Sequence, residues 1–88
     1  VRGITLLTPF YVQPDRDDPM RRRMDEYGQI VRRVARDTRS EFVDTQAAYD
    51  RVMENVHPLA LAPDRVHPTP SGHMVLARGF LKTIGYRW

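Results

Sequence analysis

Ile4-Thr5-Leu6-Leu7-Thr8, closed by Pro9, and Glu41-Phe42-Val43-Asp44 bracket the stretch whose reading decides the fold. The first run is short and mostly apolar, as expected of an interior strand buried on both faces of a parallel sheet. Between the two, Asp18-Pro19 offers an N-cap acceptor followed by proline at the first helical position. From there Met20, Met24, Tyr27, Val31, Val34 and Ala35 recur at spacings of three and four, which predicts one apolar face on a helix running to about Thr38. Strand, helix and strand of these lengths imply a right-handed parallel crossover.

Downstream, Thr45 reads as the cap of a further helix from Gln46 to about Asn55, with Ala47, Ala48, Tyr49 and Val52 inward. His57 to His67 contains Pro58 and Pro63 and no clear period, and reads as an ordered loop. Thr69-Pro70 repeats the cap-then-proline signal, and Met74, Ala77, Phe80, Leu81 and Ile84 form the stripe of a last helix that Gly85 ends. The expected class is α/β with parallel strands in a three-layer arrangement, one partial domain over residues 1–88. Two parallel strands do not make a stable sheet or cover three helices, so half of a fold is expected, completed by another segment or subunit. A chain of 88 residues buries only about 60–65% of its unfolded surface, so its own core is small.

Composition excludes several function classes. The absence of Cys rules out a disulfide framework and a thiolate zinc site, and no apolar run reaches membrane-spanning length. A reducing, cytoplasmic setting is the default expectation, and Val1 in place of Met raises the expectation of an upstream segment. The net charge of +3 is small, and the preference for Arg over Lys decides nothing about partners.

Asp64-Arg65-Val66-His67 places a carboxylate and an imidazole three residues apart, just before a capped helix. A turn there lets the Asp accept a hydrogen bond from one ring nitrogen, fix the tautomer and leave the other nitrogen free to take a hydroxyl proton. That is two-thirds of a Ser-His-Asp triad. The spacing is common by itself, and without context a loop-ordering Asp–His contact explains it better.

The context is a resemblance. Asp64-Arg65-Val66-His67-Pro68 followed by Gly72-His73 and an apolar helix resembles the last block of SGNH/GDSL hydrolases. Thr8-Pro9-Phe10-Tyr11, Asp18-Pro19-Met20-Arg21, Phe42-Val43-Asp44-Thr45-Gln46-Ala47-Ala48 and Gly72-His73-Met74 look most like the intracellular acetylxylan-esterase branch. The resemblance implies the C-terminal half of a flavodoxin-like α/β/α SGNH-hydrolase fold and a serine esterase, cleaving small or saccharide-borne acetyl esters through an acyl-enzyme. It casts His67 as general base and Asp64 as its orienting partner, calls for no cofactor or metal, and favours a homo-oligomer. The family's upstream blocks are missing: no Gly-Asp-Ser is present, and the one Asn, Asn55, stands at a helix end rather than in an oxyanion-hole motif. The isolated chain is therefore expected to be inactive.

Other residues have plainer readings. Ser71 falls in the first turn of the last helix, where a polar residue is ordinary. His57, His67 and His73 do not match the spacing of helical zinc motifs. His57 reads as a surface residue, His73 as one that packs or hydrogen-bonds near the loop, and Asp44 as a cap, since no Gly-x-Gly-x-x-Gly precedes it. Arg21, Arg22, Arg23, Arg32, Arg33, Arg36 and Arg39 would suit a nucleic-acid or other anionic partner, although interspersed Asp25, Glu26 and Asp37 fit a solvated face better, so neither nucleic acid nor membrane is the expected partner. A non-catalytic oligomerising domain descended from the hydrolase is the remaining alternative.

Overall fold

The computed structural model describes residues 3–85. The elements run β1 (Thr5–Leu7), α1 (Pro19–Thr38), β2 (Glu41–Val43), α2 (Thr45–Val52), α3 (Pro58–Leu61) and α4 (Pro70–Thr83). β1 and β2 pair in parallel, with Thr5 opposite Glu41, Leu6 opposite Phe42 and Leu7 opposite Val43. Helix α1 crosses over and packs against both strands, while α4 packs on β2 and gathers α2 and α3 beside it.

The caps explain the boundaries. The Asp18 carboxylate accepts from the backbone N–H groups of Met20 and Arg21 at 3.1 and 3.0 Å, satisfying two otherwise orphaned donors of α1. Arg39, in the left-handed region at φ 55°, terminates α1, and Ser40 N–H returns to Ala35 O at 2.9 Å. At the next helix the cap is Asp44, whose carboxylate accepts from Ala47 N–H at 2.9 Å, one residue earlier than the sequence suggests. Thr45 instead turns inward and donates its hydroxyl to Thr8 O, while Thr8 Oγ1 accepts from Thr45 N–H at 3.0 Å. The Thr8–Thr45 contact ties the end of β1 to the start of α2.

Two further differences have simple causes. The stretch expected to be a loop holds the single turn α3, because Pro58 sits at its first position and His57 Nδ1 accepts from Leu59 N–H at 3.1 Å. Ala47, expected inward, is exposed, and the buried face of α2 is Thr45, Gln46 and Tyr49. The core cluster is Val12, Tyr49, Leu61 and Ala62, with Phe10, Val52, Met53, Val75 and Leu76 against it.

On α1 only part of the apolar face is covered. Ala35 is buried and Met24 and Val31 are half-buried, but Met20, Tyr27, Ile30 and Val34 are 44–50% exposed, and Ile4 and Leu7 are exposed as well. The sheet beneath is two strands wide and cannot reach that stripe.

Arg21 departs most from the sequence reading, which places it on a solvated basic face. It is 1% exposed. Its guanidinium makes two hydrogen bonds to Asp50 at 2.9 and 2.7 Å, one to Asp25 at 2.9 Å and one to Gln13 O at 2.8 Å. Burial works against its charge, but the two carboxylates outweigh it and hold the group above the usual arginine range. Replacing Arg21 with Met should cost about 2–3 kcal/mol in urea unfolding, because Asp50 and Gln13 O lose their shared donor. A loss below about 0.5 kcal/mol would mean the cluster is an ordinary surface ion pair.

Candidate active site

The Asp64–His67 loop is built by its neighbours in the chain. Arg65 adopts φ 73°, which reverses the backbone so that two successive N–H groups converge on one carboxylate oxygen. Asp64 Oδ1 accepts from Val66 N–H at 3.0 Å and from His67 N–H at 2.7 Å. The other oxygen, Oδ2, lies 2.5 Å from His67 Nδ1. The imidazole is thus oriented through Nδ1, and Nε2 is the nitrogen left for chemistry.

The His67 and Asp64 side chains are 86% and 53% exposed, so the pair sits at the surface of the described residues. The His67 backbone N–H, the His67 ring and the Val66 N–H hold the Asp64 carboxyl well below the usual carboxylate range. The carboxyl therefore stays ionised through mildly acidic pH, and its interactions favour the folded state above the ordinary carboxylate pKa and fade only as pH falls towards the depressed value.

The loop is anchored on both sides. Upstream, Arg65 N–H donates to Ala62 O at 2.9 Å, and Arg65 O accepts from Val12 N–H at 3.0 Å. Downstream, Thr69 donates its N–H to Leu61 O at 2.8 Å and its hydroxyl to Ala60 O at 2.7 Å, while Thr69 Oγ1 accepts from Gly72 N–H at 3.2 Å as the cap of α4. Gly72 is buried where α4 passes over α3, and its carbonyl accepts from the Tyr49 hydroxyl at 3.0 Å.

Burial pushes the Tyr49 phenol up to about 12. An unfolded tyrosine ionises near about 10, so the stability this group confers is complete below about 10 and is lost as pH rises through the folded value. Tyr49→Phe should flatten the fall in stability between pH 9 and 11 while costing about 1 kcal/mol at neutral pH. An equal alkaline fall in both proteins, followed by urea unfolding, would contradict this.

The remaining residues named from sequence fall elsewhere. Ser71 is exposed in the first turn of α4, His57 caps α3, and His73 is exposed rather than packed. Asp44 caps α2 and pairs with Arg32 at 3.0 Å, and the Arg32 guanidinium lies 4.6 Å from the centre of the Phe42 ring. With Arg21 buried and Arg32 committed to Asp44, the basic face of α1 is smaller than its Arg count suggests, and a nucleic-acid reading is not favoured. Among the described residues no cluster of three His, Cys, Asp or Glu could hold a metal, and no helix is long and apolar enough to cross a membrane.

Sequence reasoning missed Gln46 and Asp50, which sit four residues apart on the inward face of α2 with Tyr49 between them. Polar residues at that spacing on a buried face were the available signal.

Comparison with known proteins shows what the chain is similar to. The chain is 56% identical over 88 residues to an acetylxylan esterase from Geobacillus stearothermophilus, covering all of this chain and 40% of that protein. It superposes on the crystal structure of that esterase with a TM-score of 0.96. An alpha/beta hydrolase enzyme from the metagenome of Lake Arreo, Spain, is 48% identical, with a TM-score of 0.94 over 97% of this chain and 39% of that one. The chain therefore spans about 40% of the length of these relatives. The Geobacillus esterase has also been solved as catalytic mutants at a serine, an aspartate and a histidine, the last two three positions apart. The model of the GDSL-like lipase/acylhydrolase family matches residues 1–75, and with the parallel strand–helix–strand unit and the partial α/β/α layering it establishes that the chain belongs to that family.

Proposed function

We propose that this chain supplies the acid–base pair of a serine esterase acting on acetyl esters, with acetylated xylan-type saccharides as the substrate class. The observation that carries the reading is the 2.5 Å contact of Asp64 Oδ2 with His67 Nδ1, which leaves Nε2 free on an exposed loop. The same three-residue spacing between catalytic Asp and His in the Geobacillus esterase supports it.

In this mechanism a serine hydroxyl from the remainder of the protein gives its proton to His67 Nε2 as its oxygen bonds to the ester carbonyl carbon. Asp64 stabilises the imidazolium that forms. The imidazolium then returns the proton to the departing sugar oxygen as the acyl C–O bond breaks, leaving an acetyl-serine. Water repeats the cycle, losing a proton to His67 and releasing acetate, and the serine oxygen recovers its proton. His67 Nε2 must carry its lone pair to start, since it is the acceptor of the serine proton.

The nucleophile and the oxyanion donors lie outside these residues. The remainder of the fold also covers the exposed stripe on α1, since exposed apolar faces of this kind mark interfaces, and self-association belongs to this reading only as what the family resemblance implies. The isolated 88-residue chain should not hydrolyse aryl acetate or acetylated xylo-oligosaccharide, whereas the protein carrying it should. Asp64→Asn in that protein should lower turnover by up to about ten-thousand-fold. Turnover by the isolated chain that His67→Ala abolishes would overturn the assignment of the nucleophile to another segment.

A further inference from the structure

The segment Tyr11–Gln13, which follows β1, presents each of its three backbone units to a different partner. Tyr11 faces α2: its N–H donates to Gln46 Oε1 at 2.7 Å, and its carbonyl accepts from Gln46 Nε2 at 3.1 Å. Val12 faces the Asp64–His67 loop: its N–H donates to Arg65 O at 3.0 Å, and its carbonyl accepts from Arg65 Nη1 at 3.4 Å. Gln13 faces α1, where its carbonyl accepts from Arg21 Nη1 at 2.8 Å. Gln13 N–H closes the turn onto Tyr11 O at 2.8 Å.

We infer that Gln46 is a positioning residue for the Asp64–His67 pair, acting through Tyr11–Gln13 on the Arg65 backbone. Its carboxamide engages both backbone groups of one residue, as a neighbouring strand would, and offers donor and acceptor on one rigid plane. It is 7% exposed and is itself fixed, since its Nε2 also donates to Asp50 Oδ1 at 3.0 Å, and Asp50 is held by Arg21. Val12 is fully buried and cannot move without moving Arg65. Arg65 is the residue on which the dyad depends, because only its left-handed backbone brings the Val66 and His67 N–H groups onto Asp64 Oδ1. A non-glycine residue in that region costs about 1 kcal/mol or more and persists where the surroundings over-determine it. The two Val12 bonds provide that constraint, and Gln46 fixes Val12. No hydrogen bond joins Gln46 to Asp64 or His67 directly, so its effect on them is transmitted.

The catalytic consequence rests on the esterase reading, but the geometric one does not, and one experiment separates them. In the protein carrying this chain, the Nδ1 proton of His67 should give a far-downfield proton resonance from its short bond to Asp64. Gln46→Met, of similar length and without polar atoms, should shift that resonance upfield or abolish it, and lower kcat roughly ten- to hundredfold with little change in KM. Gln46→Glu, which keeps the acceptor for Tyr11 N–H and loses the donor, should lie between. Ala35→Gly, which destabilises α1 away from this segment, should leave the resonance and kcat in place, as a merely structural role for Gln46 would also predict for the Gln46 variants. An unaltered resonance in either folded Gln46 variant overturns the inference. Should neither variant fold, amide exchange in the unsubstituted protein decides: a protected Tyr11 amide beside a persistent Nδ1 signal upholds the coupling, and a freely exchanging Tyr11 amide beside that signal overturns it. A lost resonance with unchanged kcat would uphold the positioning role and overturn the catalytic role of the dyad instead.

Discussion

Replacing His67 with alanine in the protein that carries this chain should abolish ester turnover, by roughly 10⁴- to 10⁶-fold in kcat, and leave folding untouched. The two halves of that expectation come from different observations. In the proposed mechanism His67 accepts the proton when an oxygen attacks and returns it when an oxygen departs, and losses of that size are usual where such a residue acts with its partners as a unit. Within this chain the side chain is 86% exposed and its one described contact is Asp64, so almost no packing among the described residues is lost with it. Stability should change by less than about 0.5 kcal/mol. Combining the change with Asp64→Asn should add little, since the carboxylate acts through the imidazole it orients. Kinetics on aryl acetate with a parallel urea unfolding curve is the measurement. Activity within tenfold of the parent would remove His67 from the mechanism, and a collapsed unfolding transition would show that the loop has a structural duty its exposure does not suggest.

Gly72→Ala should do the reverse, damaging the fold first and activity as a result. A β-carbon at position 72 would lie 2.2 Å from Leu61 O and 2.8 Å from Pro68 Cβ. The nearer atom is main chain, and it already accepts from Thr69 N–H at 2.8 Å, so it cannot swing aside as a flexible side chain would. Helix α4 must lift from α3 instead. Lifting it stretches the Thr69 cap and the Tyr49–Gly72 bond together. Overpacking with the loss of two hydrogen bonds should cost about 3–5 kcal/mol, a large share of the 5–15 kcal/mol of an ordinary domain. Gly79→Ala in the same helix is the contrasting case. Its β-carbon would meet Ala48 Cβ at 3.5 Å, an ordinary contact, so helix propensity should dominate and the protein should gain up to about 1 kcal/mol. Equal unfolding midpoints for the two variants would contradict the steric account of Gly72.

The gross order of elements was legible because each start carries its own chemistry: Asp18-Pro19 and Thr69-Pro70 place a cap acceptor before a proline, and both helices begin there. The Asp64–His67 pair was legible for the same reason, since three residues of chain and one turn suffice to close the contact. Long-range polar contacts were hidden. Nothing local distinguishes Arg21 from Arg22, and only the arrival of Asp50 from 29 positions away makes the first a buried anchor and leaves the second in water. The conformation of Arg65 was hidden too, because a left-handed residue that is not glycine leaves no mark in sequence, and the Val12 bonds that hold it come from 53 positions away. The apolar period on α1 was correct as a pattern but silent about how much of it would find cover. Met20, Tyr27 and Val34 remain open because periodicity reports what a helix can bury and not the width of the sheet below it.

The two-stranded sheet has a consequence for handling the polypeptide. Ile4-Thr5-Leu6-Leu7 is uncharged and rich in residues that favour β structure, and the outer rim of β1 has no partner strand among the described residues. An unpaired rim of that composition templates the addition of further copies, and such stacks grow into fibrils or insoluble deposits. Pro9, which cannot donate to a strand ladder, limits the length that can be recruited. Produced by itself at high concentration, this polypeptide should pass into inclusion bodies, and lysine in place of Leu7, exposed on β1, should keep more of it in solution.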